Sequence, residues 1–214
     1  MNSDTILFNN AVKLFFDYWE ADSKKECLGA IGCNLINING KITHSFGSFP
    51  VYKQLKKILF LNLINSFVKP VIKHIKKRPV ELKKYQGDVE YITGADLFLR
   101  NDSNAKFDED FFMYYEETNM QYKLFLEKKK RQIIDGPLIM HLEGASSEKN
   151  KSERGYDFTK FKSKEMWYSA CLYLKKNDLN KNHYRKLIKL IIFIWSLPWN
   201  RENCSEYVER IKAL

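Results

Sequence analysis

The sequence predicts an α/β fold with a mixed sheet, because segments of strand character and segments of helix character are interspersed along the chain. CLGAIGC at 27–33 is a short apolar run, which is typical of a buried strand. Residues 8–21 carry apolar side chains at helical spacing, and the apolar face of this predicted helix is Val12, Phe15, Phe16 and Trp19. Three further helices are predicted at 160–176, 181–196 and 201–213.

The middle of the chain predicts more strands and one more helix. EYITGADLFLR at 90–100 has the composition of a strand with a glycine break. The second part of 106–131 is predicted to be helical, since its acids come first and its lysines last, which suits the helix dipole. Residues 132–144 indicate another strand and a loop, and the polar stretch 146–155 is expected to be mobile.

Length and composition exclude several classes of protein. The chain has 214 residues, 44% of them hydrophobic and 14% aromatic, which is enough to bury a core and argues against a disordered chain. Its apolar runs are shorter than the roughly 20 residues that a membrane-spanning helix needs. The first residues lack a secretory pattern, and the four cysteines are scattered without a CxxC pair. We therefore expect a cytoplasmic protein with reduced, mostly packed thiols.

Positive charge is concentrated in one segment. The chain has a net charge of +10, and ten lysines and arginines with one acid lie between Lys53 and Lys84. Because the rest of the chain is close to neutral, the pattern indicates a local basic patch and not a generally basic protein. Nucleic acid is not expected as a partner, since aromatic residues are sparse among these lysines and no recognised binding motif is present.

The basic amphipathic segment 51–84 allows two interpretations. Apolar residues between lysines are typical of a pair of surface helices, interrupted at Pro70, that cover the core. The same pattern suits a segment lying on an anionic membrane surface, with its apolar side down and its cations toward the headgroups. The apolar run at 187–199 is open in the same way, as a core helix or a membrane contact. The cations facing the headgroups would be Lys56, Lys57, Lys73, Lys76, Lys77 and Arg78.

Three groups of residues have side chains suited to chemistry. Asp4 beside Asn2 offers oxygen ligands of the kind that Mg²⁺ and Mn²⁺ prefer, although an acid in such a position is usually a cap or a surface residue. The acids at 108–110 and 116–117 are either partners of a helix dipole or the source of a general base. His141 is either structural or a ligand, and it can be a ligand with Asp4 only if the fold brings the two together.

Five short motifs occur in a fixed order: NSDT at 2–5, HSFGSFP at 44–50, YITGAD at 91–96, FDEDFFMYYEETNMQYK at 107–123 and HLEGAS at 141–146. Together they resemble family 2 glycosyltransferases, with the bacterial rhamnosyltransferase-like branch as the closest likeness. The likeness covers residues 1–146, in the family's order and with similar spacing. Its specific part is the aromatic and acidic stretch, whereas each of the other motifs is weak alone.

This resemblance implies a partial GT-A fold, which is Rossmann-like, over 1–146 and a helical region over 147–214. It implies transfer of a sugar from a dTDP- or UDP-sugar donor to a hydroxyl of a polysaccharide or lipid-linked glycan. Inversion at the anomeric carbon and Mg²⁺ or Mn²⁺ as cofactor belong to the same expectation, and rhamnose is the sugar that the likeness favours. A peripheral position at the inner face of the bacterial cell membrane would suit such an acceptor.

On the donor side, the resemblance assigns roles to three residues. Asp4 matches the last acid of the family's DxD-type motif and Asn2 its first place, so the two would help hold the metal and the diphosphate. His141 matches the histidine that follows the last core strand, close to the metal or the diphosphate.

On the acceptor side, Glu117 takes the place of the aspartate that deprotonates the acceptor hydroxyl, and Glu116 precedes it as the family's glutamate does. Glu117 departs from the family by one methylene, and Asn119 stands where the family mostly has a second aspartate. Lys123 replaces the common arginine and loses its bidentate fork. The acceptor site would be lined by Gly94, Ala95 and Asp96.

The start of the chain departs from the family more strongly. In the family, the step that corresponds to Asn2–Asp4 ends a strand preceded by nucleotide-binding βαβ units, and here Met1 stands where that strand would finish. The resemblance therefore leads us to expect a missing nucleotide-binding half and a free sheet edge. An alternative function follows, in which the chain is a non-catalytic fragment or subunit of a split glycosyltransferase. It would then be a binding and assembly partner of a separately encoded nucleotide-binding half.

Overall fold

The computed structural model describes residues 4–21, 25–68, 82–101, 105–142, 156–178 and 180–214. Within these ranges the chain forms six α-helices and eight short strands, which confirms the predicted α/β class with a mixed sheet. In chain order the elements are β1 (Thr5–Leu7), α1 (Ala11–Ala21), β2 (Leu28–Cys33), β3 (Phe46–Gly47), α2 (Tyr52–Val68), β4 (Gly87–Val89), β5 (Tyr91–Ile92), β6 (Phe98–Leu99), α3 (Glu116–Leu126), β7 (Lys130–Ile134), β8 (Ile139–His141), α4 (Phe161–Asn177), α5 (Lys181–Trp195) and α6 (Arg201–Lys212).

The chain divides into two compact units. The first comprises Met1–Phe49, Lys77–Phe107 and Glu117–Lys151, and the second comprises Pro50–Lys76, Asp108–Glu116 and Ser152–Leu214. The first unit holds the eight strands with α1 and all of α3 except its first residue, and the second holds the other four helices. This division differs from the predicted boundary at residue 146, because two earlier segments group with the C-terminal helices and not with the strands.

A four-stranded mixed sheet forms the centre of the first unit, in the order β4–β7–β2–β6. The inner strands β2 and β7 are parallel, and the outer strands pair with them in antiparallel fashion. All six residues of β2 are buried, as expected for an apolar strand that is covered on both faces. The strand predicted at 27–33 is therefore confirmed.

Two smaller sheets complete the strand structure of the first unit. β1 pairs with β8 in an antiparallel register that sets Thr5 opposite His141. Met140 of β8 also forms a parallel bridge to Ile36 on its other side. β3 pairs antiparallel with β5.

α1 packs in the core of the first unit through Ala11, Phe15 and Trp19, which recur at every fourth residue and are buried. The predicted apolar face is too wide, since Val12 and Phe16 are 49% and 56% exposed. Ala11, Phe15 and Trp19 form one row along the helix, and Val12 and Phe16 form the row beside it. Both rows have helical spacing, but only the first is buried.

Other predicted elements are found with adjusted ends. The strand predicted at 90–100 is two short strands, β5 and β6, separated by a turn at 94–96. The helix predicted in the second part of 106–131 is α3, but β7 already begins at Lys130. The three C-terminal helices are confirmed, with ends shifted by one residue at most. The stretch 146–155 lies outside the described residues.

The helices of the second unit enclose a core that is rich in aromatic rings. Trp167 of α4 and Trp195 of α5 are buried, and Trp195 meets Tyr207 of α6 edge to face with ring centroids 5.8 Å apart. α2 packs against α5, and its buried apolar side chains are Leu55 and Leu59.

Glu165 is a buried carboxylate on α4, only 2% exposed. The Tyr207 hydroxyl donates a hydrogen bond to its Oε1, and Arg210 Nη1 donates another at 2.5 Å. The Arg210 guanidinium also lies 4.0 Å from the centroid of the Tyr168 ring. Burial and the hydrogen bond to Glu165 raise the pKa of Tyr207. The carboxylate is thus both paired and hydrogen-bonded, which is the condition under which a buried charge is tolerated.

The cysteines match the expectation of mostly packed thiols. None of the four is in a disulfide, and three of them are buried, whereas Cys27 is exposed. Burial raises the pKa of the Cys33 and Cys171 thiols. These two side chains therefore stay protonated and pack as small apolar groups.

The basic amphipathic segment 51–84 is described in part. α2 is the first of the two predicted surface helices, and residues 69–81 lie outside the described residues. Lys56 and Lys57 are exposed on α2, whereas the positions of Lys73, Lys76, Lys77 and Arg78 are not among those described. Along the described ranges, no helix combines the length and the apolar character that crossing a bilayer requires.

Candidate functional site

The pairing of β1 with β8 brings Asp4 and His141 together. The two residues are 137 positions apart in the sequence numbering, yet Thr5 lies opposite His141, and the Leu142 backbone N–H donates to the Asp4 carbonyl at 2.8 Å. Asp4 Oδ2 and His141 Nε2 are 3.4 Å apart. The condition that the sequence sets for a joint role of these two side chains is therefore met.

His141 is held by backbone pairing on both sides of β8. Its N–H donates to the Ile36 carbonyl at 2.9 Å, and the Ile36 N–H donates to the Ile139 carbonyl at 3.0 Å. Ile139 is fully buried and anchors the strand in the core. The side chains of His141 and Asp4 remain 16% and 39% exposed, so a ligand from solution can reach them.

The separation of the two side chains allows both to bind one divalent ion. A divalent ion with ligand distances of about 2.1 Å can bind two atoms at the observed separation. Mg²⁺ and Mn²⁺ sites often use one or two carboxylates and complete the coordination with substrate phosphates and water. In the part of the chain that the structure describes, no three His, Cys, Asp or Glu side chains converge on a metal position. Asn2, the predicted companion of Asp4, lies outside that part.

Glu117 stands in the first turn of α3, beside Tyr91 of β5. Burial and the charge of Glu117 raise the pKa of the Tyr91 phenol. The turn is tied to β5 by Gln121, whose Oε1 accepts from the Ile92 N–H at 2.8 Å and whose Nε2 donates to the Ile92 carbonyl at 2.7 Å. Glu117 is therefore a partly buried carboxylate on a firmly anchored helix end, which is a suitable setting for a general base.

Glu116 belongs to the second unit, together with the aromatic stretch before α3. Burial and the charge of Glu116 raise the pKa of Tyr114. Tyr114 and Tyr115 both have φ of 67°, a left-handed conformation that is costly for bulky residues and is concentrated at functional sites. The Met113 carbonyl accepts a hydrogen bond from Ser169 Oγ at 2.7 Å. Neither tyrosine was predicted from the sequence to have a strained backbone.

The residues predicted to line an acceptor site do not all face outward. Ala95 and Asp96 are each 1% exposed, and Gly94 is partly exposed. Asp96 Oδ2 accepts a hydrogen bond from the Cys33 N–H at 2.7 Å, and its Oδ1 accepts one from Thr93 Oγ1 at 3.2 Å. Burial raises the pKa of the Asp96 carboxyl to about 8. As a correction to the predicted role, the Ala95 and Asp96 side chains are core groups that fasten this turn to β2.

Gly32 makes the burial of Asp96 possible. A Cβ atom at Gly32 would lie 2.7 Å from Asp96 Oδ2 and 2.5 Å from Ile92 Cγ2, both closer than real Cβ contacts allow. The absence of a side chain on β2 thus lets the carboxylate approach the backbone of the strand.

Two acids of the 108–110 cluster, Asp108 and Asp110, form ion pairs within the second unit. Lys176 Nζ lies 2.9 Å from Asp108 Oδ2 and 2.5 Å from Asp110 Oδ2. These two carboxylates are therefore engaged with a lysine of α4, a partner that was not predicted from the sequence.

The structure thus joins Asp4 to His141 and places Glu117 in the same unit. Comparison of the chain with protein-family models, with curated proteins and with solved structures finds no match.

Proposed function

We propose that the chain is a metal-dependent, inverting glycosyltransferase of the GT-A type. Its donor would be a dTDP- or UDP-sugar, with rhamnose as the favoured sugar, and its acceptor a hydroxyl of a polysaccharide or lipid-linked glycan. The five ordered motifs support this proposal as a resemblance to family 2. The observation that carries it is the 3.4 Å contact of Asp4 with His141, because two residues of separate motifs meet where the resemblance needs them.

The proposed reaction divides between two sets of side chains. Asp4 would hold the metal, and His141 would contact the metal or a diphosphate oxygen. Mg²⁺ or Mn²⁺, when bound, supplies positive charge that neutralises the diphosphate leaving group. Glu117 would take the proton of the acceptor hydroxyl as its oxygen forms a bond to the anomeric carbon. The bond from that carbon to the diphosphate oxygen breaks in the same displacement, and the configuration inverts.

Calorimetric titration with dTDP and with UDP tests the donor site. With Mn²⁺ present, at least one nucleotide should bind, and Asp4→Ala should weaken that binding about tenfold or more, which is about 1.4 kcal/mol. Asp17→Ala is the matched control, since Asp17 is an exposed acid of the same unit that pairs with Lys13. The control should bind as the unmodified chain does.

Two results would contradict this donor site. Nucleotide binding that persists unchanged in Asp4→Ala would show that Asp4 has no part in it. Failure of both dTDP and UDP to bind the unmodified chain would favour the second candidate, a non-catalytic binding and assembly partner.

One specific observation favours that second candidate. Among the described strands, β1 has β8 as its one neighbour and forms the edge of this sheet. Ile6, Leu7 and Phe8 are 43%, 37% and 54% exposed along this edge. An apolar edge strand is a surface on which another chain can pair.

Membrane association belongs to the leading proposal, and the surface of α2 supports it. Lys56 lies over the Phe60 ring, 5.8 Å from the centroid, and Phe67 meets the exposed Trp199 edge to face at 5.6 Å. Large exposed apolar side chains beside lysines are typical of contact with an anionic bilayer. The exposed apolar residues of this helix are Ile58, Phe60, Leu61, Ile64 and Phe67.

Co-sedimentation with liposomes tests this contact. The chain should sediment with vesicles that contain phosphatidylserine and much less with neutral vesicles, because each lysine near an anionic surface contributes about 1 kcal/mol. Lys56→Glu with Lys57→Glu should reduce binding about tenfold or more. Lys162→Glu, an exposed lysine on α4, should change it far less. Equal sedimentation with both kinds of vesicle would argue against the contact.

A further inference from the structure

A cavity of about 350 Å³ lies in the first unit, at the N-terminal end of β7. The walls come from β4, from the last turn of α3 and from the segment that enters β7. The Asp4–His141 pair is a different place, because neither residue lines this cavity. Its lining residues are Asp88, Val89, Phe125, Lys128, Lys129, Lys130 and Arg131.

The cavity is strongly basic. Four consecutive cations, Lys128–Arg131, line it, and Asp88 is the acid in its wall. Asp88 already accepts from Lys130 Nζ at 2.9 Å and from Gln132 Nε2 at 2.7 Å, and these bonds lower the pKa of its carboxyl. One carboxylate therefore faces four cations, and the walls have a positive excess that would attract an anion.

Arg131 is the buried member of the set and is 5% exposed. Its Nε donates to the Glu90 carbonyl at 2.9 Å, and its Nη1 donates to the Lys129 carbonyl. The guanidinium lies between two rings, 5.5 Å from the centroid of Phe49 and 5.3 Å from that of Phe125. The negative charges of Glu90 and Asp88 act on this guanidinium and favour its charged form, but burial has the larger effect and lowers the pKa of Arg131. Burial of the cation is costly in spite of these two charges, and a bound anion would offset part of that cost.

Lys128 adds a second, independent feature. Its φ is 61°, and its N–H donates to the Phe125 carbonyl at 2.9 Å, which closes the end of α3. Glycine or asparagine is the usual residue at such a left-handed helix end. A lysine there costs backbone strain and sets a cation on the rim of the cavity.

We propose that this cavity binds a small phosphorylated anion with two or more negative charges. The volume is within the range of small-ligand sites, and the cations can donate several charge-assisted hydrogen bonds to phosphate oxygens. This site does not depend on the glycosyltransferase proposal, because no residue of it belongs to the donor or acceptor groups named above.

Titration with inorganic pyrophosphate tests the proposal directly. The full chain is used in about 0.15 M salt with EDTA present, so that binding through a metal at Asp4 does not contribute. Pyrophosphate should bind in a one-to-one ratio, and Asp4→Ala should leave its Kd unchanged. This arm separates failure of the cavity site from failure of the proposed donor site.

Lys128→Gly is the decisive variant, because it removes a cation while relieving the left-handed strain. The fold should be retained or stabilised, and the affinity for pyrophosphate should fall about tenfold. Lys106→Glu, an exposed lysine of the same unit outside the cavity, is the control and should bind nearly normally. A similar loss in Lys106→Glu would show general charge attraction and overturn the site. Absence of binding, or full affinity in a folded Lys128→Gly chain, would also overturn it.

Discussion

Replacing Glu165 by alanine is expected to lower the free energy of unfolding by about 3–5 kcal/mol. Glu165 is 2% exposed and accepts hydrogen bonds from Tyr207 and Arg210. Without the carboxylate, the hydroxyl of the buried Tyr207 loses its acceptor, and the Arg210 guanidinium, whose side chain is 34% exposed, loses its counter-ion. The cost of a buried group left without its partner is greater than the energy that the intact pair adds.

Denaturation in guanidinium chloride measures this loss. Glu209→Ala is the matched control, because Glu209 also lies in an ion pair, with Lys212 at 2.7 Å, but its side chain is 74% exposed. Exposed pairs contribute about 0–1 kcal/mol, so the control should unfold almost as the unmodified chain does. Equal, small effects of the two substitutions would show that the Glu165 cluster contributes little to stability.

Stability should also fall as the pH rises from about 4 to about 8, and Asp96 should be a main cause. The folded state holds the proton of Asp96 up to a pKa of about 8, whereas an unfolded aspartate releases it near pH 3.9. Between these values the folded state binds the extra proton, so its stability relative to the unfolded state declines by about 1.4 kcal/mol per pH unit. The decline ends above the folded pKa, where both states are ionised.

Urea denaturation of the chain and of Asp96→Asn at pH 5, 6, 7 and 8 (spanning roughly the window between the two pKa values) isolates this contribution. The difference in unfolding free energy between the two proteins should change steadily across the series, because asparagine does not titrate. Asp88→Asn is the control: hydrogen bonds from Lys130 and Gln132 lower the pKa of Asp88, so its titration lies below the series. Parallel curves for the unmodified chain and Asp96→Asn would refute the assignment.

The spacing of apolar residues along the chain was enough to predict one buried strand and most of the helices. The apolar run of β2 gave a buried strand, and three C-terminal helices were found where their spacing placed them. Val12 and Phe16 show the limit of that approach. Their spacing fits an apolar helix face as well as that of Phe15 does, and only the neighbouring sheet decides which stripe is buried.

The candidate site depends on contacts between residues far apart in the sequence, and the spacing of residues along the chain does not predict such contacts. From the sequence, His141 was expected to act with Asp4 only if the fold brings the two together. The pairing of β1 with β8 brings them together, and this pairing could not be predicted from the sequence. The burial of Asp96 was missed, since a short turn with a carboxylate is usually exposed. Gly32 was the available signal, because a glycine inside an apolar strand often marks a close approach of other atoms.

Gln121 has a consequence for association between chains. Its side-chain amide donates to the Ile92 carbonyl and accepts from the Ile92 N–H, which are the two backbone groups that a further strand would use on β5. The amide thus imitates one residue of a neighbouring strand and closes this edge from within the chain. Among the described strands, β1 leaves apolar side chains at a sheet edge, whereas β5 is protected against intermolecular sheet growth. Aggregation through β5 would first require α3 to detach.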